Sequence, residues 1–171
     1  MRRNRLIFYY IILMLFCPVG VASALTAEQE AAISDHCAAI REDLKKVQRS
    51  DARARVYLGG KFELILNKYI MPLNVRLVEN NMSQMELIEG QNTLTALKAK
   101  FADDYVNYQQ NLEELVLADC KNEPKAFYEK IEKVRQKRQK VSDDVQKIRK
   151  ELGKNMESVV KLKEGWHVEK K

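Results

Sequence analysis

The sequence predicts an all-α protein, an elongated antiparallel three-helix bundle or coiled coil, preceded by a signal-peptide helix. Three observations predict it. In 171 residues there are only 6 Gly and 3 Pro, too few turn formers for a sandwich, barrel or propeller. Apolar residues recur at alternating spacings of four and three through most of the chain. No glycine-rich strand-to-helix turn of a doubly wound α/β fold is present.

Residues 1–24 read as a signal peptide. Arg2, Arg3 and Arg5 are its basic start, and Leu6–Cys17 is an unbroken apolar run. Pro18 and Gly20 break the helix, and Ala22-Ser23-Ala24 offers small residues for cleavage. Twelve helical residues span about 18 Å, short of a ~30 Å hydrocarbon core. The alternative is an uncleaved anchor, with the apolar stretch running on to Leu25. Removing 1–24 lowers the formal charge from +6 to +3, because three arginines and no acids leave. Much of the basicity therefore belongs to the export signal, which argues against a nucleic-acid partner.

The remaining chain is expected to be one domain, residues 25–164, with a flexible tail at 165–171. In the first segment, about 27–50, Thr26 and Gln29 form a capping box. Ile33, Cys37, Ile40, Leu44 and Val47 make its apolar face. Ser50-Asp51 reads as a new helix start, so a bend or break is expected near Asp51. The second segment, about 52–80, buries Ala54, Leu58, Phe62, Ile65 and Tyr69. Pro72 is expected to kink it, since proline lacks an N–H and crowds the preceding turn. Asn80-Asn81 ends it, asparagine being tolerant of the left-handed conformation. Asn81-Met82-Ser83 also fits a glycosylation acceptor on that turn.

Ser83 with Glu86 reads as a second capping box, opening the third segment, about 84–120. Phe101, Tyr105, Tyr108, Leu112 and Leu115 are its seam. Pro124 suits a first helical turn and opens the fourth segment, about 124–164. There Phe127, Ile131, Val134, Arg138, Val141, Val145, Ile148, Leu152, Asn155, Val159 and Leu162 keep strict heptad spacing. Only Arg138 and Asn155 interrupt this coiled-coil pattern. Two long segments joined by a three-residue link make an antiparallel hairpin.

Two cysteines, Cys37 and Cys120, remain after the signal, and in an exported chain they are expected to form a disulfide. The rivals are free or intermolecular thiols, a metal site or a catalytic thiol beside His36. A zinc centre lacks ligands at the right spacing, and adjacent helical residues such as His36 and Cys37 do not face each other. A hairpin centred on Met82 sets Cys120 opposite residue 44, seven positions from Cys37, an offset assigned to the bend near Asp51.

Chemistry-bearing patterns are few. His36 and His167 are the only histidines, and no metalloprotease, nucleophile-elbow, phosphate-loop or EF-hand spacing occurs. Asp103-Asp104, Glu113-Glu114 and Asp143-Asp144 are adjacent acids, which point in different directions on a helix. No enzyme, cofactor or metal is expected. Charge is uneven: residues 83–123 hold 8 acids and 3 bases, residues 124–171 hold 15 bases and 8 acids. Lys130, Lys133, Arg135, Lys137, Arg138 and Lys140 form a basic stripe with Glu132 its one acid. The stripe either faces the acidic third segment or meets an anionic partner.

The expected function is that of an exported, non-enzymatic helical protein, periplasmic, extracellular or on the cell surface. It would act through a protein partner or an anionic envelope component. The alternatives are a membrane-tethered spacer retaining residues 6–25 and a periplasmic holdase-type chaperone. A homodimer closed by an exposed heptad seam is a further outcome.

Overall fold

A computed structural model describes residues 25–82 and 84–168. The signal segment 1–24, Ser83 and residues 169–171 lie outside the described residues, as do the side chains of Trp166 and His167. Among the described residues the protein is helical throughout, with no strand. The elements are α1 (Ala27–Asp35), α2 (Cys37–Ile65), a π-helical turn (Leu66–Ile70), α3 (Met71–Glu79), α4 (Met85–Leu117) and α5 (Pro124–Val168).

The capping box forms as the sequence implies. The Gln29 N–H donates to Thr26 Oγ1 at 3.3 Å and the Thr26 N–H to Gln29 Oε1 at 2.9 Å. The first interruption, however, falls at His36 and not near Asp51. Asp51 sits inside α2, because its carboxylate serves α4 and α5 instead of capping its own helix. At His36 the chain turns α1 toward the start of α5, where the Ser34 hydroxyl donates to the Lys121 carbonyl at 2.7 Å.

Pro72 acts one turn upstream of itself. A proline cannot donate to the carbonyl four residues back, and its ring crowds that carbonyl. The helix widens before it: the Met71 N–H reaches the Leu66 carbonyl, five residues back. The wider turn shifts the buried face by one position. Phe62 is followed inside by Leu66, Asn74 and Leu77, while Tyr69, expected inside, is 64% exposed. Ala54 is exposed as well. Asn81, at φ 55°, ends α3 in the left-handed region. The Met82 N–H donates to the Leu77 carbonyl at 2.8 Å and the Asn81 N–H to Val78 at 3.0 Å, a Schellman closure.

The expected box at Ser83 does not cap α4. That helix starts at Met85 with Gln84 before it and no side-chain cap bond, and Glu86 accepts instead from Ser158 of α5 at 3.2 Å. Asp119 organises the second turn, accepting from the Lys121 and Asn122 N–H groups at 3.0 Å each. The Asn122 side chain and backbone hold its carboxyl below the usual range. Pro124 opens α5, which continues past Gly165 to Val168, so the expected tail begins later than residue 165.

α4 is the central element. It runs antiparallel to α5, with Lys100 against Asp144 and Glu86 against Ser158. It also runs antiparallel to α2 and α3, with Tyr108 against Asp51, Phe62 against Phe101 and Asn74 against Leu87. Cys37 and Cys120 stand at disulfide distance, their Cα atoms 5.4 Å apart. The seven-position offset is thus taken up along the pair, without a bend at Asp51. One core gathers Cys37, Tyr105, Tyr108, Leu112, Leu115, Cys120, Phe127 and Val134; a second gathers Phe62, Leu66, Leu94, Phe101, Val145 and Ile148.

Near its far end α4 meets α5 at Gly90. A Cβ there would lie 2.4 Å from Asn155 Oδ1, a buried oxygen with no hydrogen-bond partner among the described residues. Alanine gains about 1 kcal/mol of helix propensity over glycine. Overpacking a filled site costs about 1–3 kcal/mol. Gly90→Ala is therefore expected to destabilise the protein, and the same change in an Asn155→Ala background to stabilise it. Urea melts of the four proteins check the reversal; additive effects would refute the close approach.

A candidate functional site: the arginine-lined groove

The basic stripe of α5 divides into two flanks. Counting Phe127 as a heptad d position, Lys130 and Lys137 fall at g, and Lys133 and Lys140 at c. Asp144 shares the g flank and reaches Lys100 of α4 at 3.2 Å. The lysines thus lie toward the acidic α4, and Lys140 helps Lys100 hold the Asp104 carboxyl below its usual range. Asp144 is nearly enclosed, and its burial pushes its own carboxyl up against the pull of Lys100.

Arg135 and Arg149 occupy e positions on the other flank, facing α2. There they border an open groove of about 620 Å³. Its existence follows from one spacing: no Cα of α2 approaches a Cα of α5 within 8 Å, although both helices pack on α4. Leu58, Phe101, Val141 and Val145 contribute apolar lining. Four arginines, Arg55, Arg135, Arg138 and Arg149, stand around it against a single carboxylate, Asp51.

The arginines differ in how far they are committed. Arg138, assigned by sequence to a free stripe, is bound to Asp51 through Nε at 2.8 Å and Nη2 at 2.9 Å. That fork bridges α5 to α2 across the groove. The Tyr108 hydroxyl donates to the same carboxylate at 2.6 Å. Arg135 contacts Glu132 at 2.6 Å on the open surface, where an ion pair contributes little. Arg55 lies over the Tyr105 ring, 5.4 Å from its centroid, which leaves the guanidinium edge for further bonds. Arg149 has no ion pair among the described residues.

Sequence reasoning named Arg135 and Arg138 but missed Arg55, Arg149, Tyr108 and Asp51. The available signal was the e-position repeat of arginine two heptads apart. Nothing local reveals that Asp51 meets Arg138, 87 positions away.

Burial, followed by the bond to Asp51, pushes the Tyr108 phenol far above its usual range. The folded protein then keeps a proton that the unfolded chain releases near pH 10. Stability is present below that pH and is lost as pH rises beyond it. Urea midpoints between about pH 8 and about pH 11 are expected to fall more steeply for the natural chain than for Tyr108→Phe. Parallel curves would contradict the assignment.

Among the described residues no helix is long and apolar enough to cross a membrane, and no group of His, Cys, Asp or Glu is placed to hold a metal. No family model, curated protein or solved structure matches this chain.

Proposed function

We propose that this is an exported, non-enzymatic protein that works by binding an anionic partner, an acidic protein or an envelope component, in the groove between α2 and α5. In this reading residues 1–24 direct export and are removed, and the mature chain is an elongated antiparallel three-helix bundle. The observation that carries it is the lining: four guanidinium groups around an apolar floor with one carboxylate, itself already shared by Arg138 and Tyr108. Such a trough favours negative charge on an apolar body. Its carboxylate is occupied in holding helices together, which supports a binding role over acid–base chemistry. The lysine flank, lying toward α4, supports a contribution to helix pairing.

A photo-crosslinking residue at Ser142, which lines the groove, tests this in the exporting cell. Expected are adducts that disappear in an Arg135→Ser/Arg149→Ser variant and in high salt. Adducts insensitive to both, or none, would overturn the reading. Mass analysis of the native protein tests the rest: a chain starting near Leu25 eliminates the membrane-tethered spacer, whereas retention of residues 6–25 establishes it.

A further inference from the structure

Resting on that reading, we infer that the groove takes one acidic amphipathic helix from a partner protein, which completes a four-helix arrangement with α2, α4 and α5. The packing leaves a helix-shaped vacancy. α2 touches α4 through the Phe62–Phe101 pair, ring centroids 5.9 Å apart, and α5 touches α4 through Lys100 and Asp144. Helices in contact have axes about 8–10 Å apart, a separation that brings some Cα atoms close. α2 and α5 have no Cα pair within 8 Å. They therefore stand as second neighbours on either side of α4, with the fourth corner open.

The chemistry of that corner is regular along its length. Arg135 and Arg149 are two heptads apart, about 21 Å along the helix axis. Ser142 occupies the same heptad position between them. Charged e positions beside an apolar seam are what a coiled-coil helix uses to choose its partner. Arg55 supplies a cation from the opposite wall. An incoming helix with leucine-like residues on one face would cover Leu58, Phe101, Val141 and Val145. Carboxylates flanking that face, repeated every heptad, would meet the arginines on both walls. A single-headed anionic lipid reaches only one end of a trough whose cations are spread over four helical turns, so the spacing favours a helix.

The probe is a peptide of three heptads with Leu at a and d and Glu at e and g, and a counterpart with Lys for Glu. Titrated into the disulfide-intact mature protein, the acidic peptide is expected to bind one to one. The lysine peptide should bind at least about tenfold more weakly, and raising salt from about 50 to about 500 mM should weaken the acidic complex. Arg135→Ser/Arg149→Ser should lower acidic-peptide affinity about tenfold or more with unchanged helical circular dichroism, since both side chains sit on the surface. Lys130→Ser/Lys137→Ser, on the other flank, should leave it within about twofold. Equal binding of both peptides, binding of neither, or loss in the lysine variant would overturn the inference. So would binding confined to phosphatidylglycerol vesicles. If Ser142 crosslinks a lipid or polymer in an arginine-dependent way while the peptides fail, the anionic-partner reading stands and the helix inference falls.

Discussion

Replacing Cys120 with serine, or reducing the protein, is expected to lower its unfolding free energy by about 4–5 kcal/mol. Cys37 and Cys120 are 83 positions apart, and a link between them removes much of the freedom of the unfolded chain. The loop-entropy relation gives the figure for a ring of this size. The native state adds little strain to offset it, because a Cα separation of 5.4 Å lies within the ordinary disulfide range. The effect should be uneven. α1 and the first turns of α2 depend on the link, on Ser34 and on Arg41, whose Nη2 donates to the Ala118 carbonyl at 2.7 Å. The α4–α5 pair is held by its own long seam. Amide exchange in the reduced protein should therefore open α1 and early α2 first. A urea midpoint unmoved by reductant would show that the cysteines are not bonded; a two-dalton mass difference reads the same fact directly.

Asp51→Ala is expected to cost about 2–3 kcal/mol. The substitution strands the Tyr108 hydroxyl in the core, and an unpaired buried polar group costs about 1–3 kcal/mol. It also dissolves the fork to Arg138, but that guanidinium stays hydrated on one side, so the ion pair contributes no more than about 1 kcal/mol. Asp51→Asn keeps one acceptor and should lose roughly half as much. Binding should move the other way. With its internal counter-ion gone, Arg138 joins the free cations of the groove, and the acidic peptide should bind more tightly to the less stable protein. Thermal melts and peptide titrations on the same two variants check both signs. Unchanged stability would remove Asp51 from the role given to it.

The parts of the fold readable in the sequence are those settled within two turns of the chain. Thr26 with Gln29, Asn81 and Pro124 each do locally what their side chains dictate. The seam from Phe101 to Leu115 and most of that from Phe127 to Leu162 lie inward, because an apolar stripe has one place to go. The cysteines are readable for a different reason: only one intramolecular pairing exists once the leader is set aside.

What was illegible depended on residues far apart in the chain. Ser50-Asp51 has the composition of a helix start, yet Tyr108 and Arg138 recruit Asp51 from 57 and 87 positions away. Gly90 is an ordinary helix interruption until Asn155 is laid against it. The basic stripe looks continuous in one dimension. On the helix it separates into a lysine flank lying toward α4 and an arginine flank facing an open trough. A narrow rod of helices was expected to leave no groove, and it does so because α2 and α5 share a neighbour without meeting.

The π-helical turn carries a consequence for how this protein tolerates length change. Leu66–Ile70 holds one residue more than an α-helical turn would need to cover the same advance. Deleting a residue there would relax the local screw to ordinary pitch, and would also rotate everything beyond it by about a third of a revolution. Asn74 and Leu77 would swing away from Leu87 and Gln91, and the first hairpin would close on the wrong side chains. A residue added or removed in the exposed turn after Cys120 spins no such register, so natural insertions and deletions should gather there and avoid the stretch before Pro72.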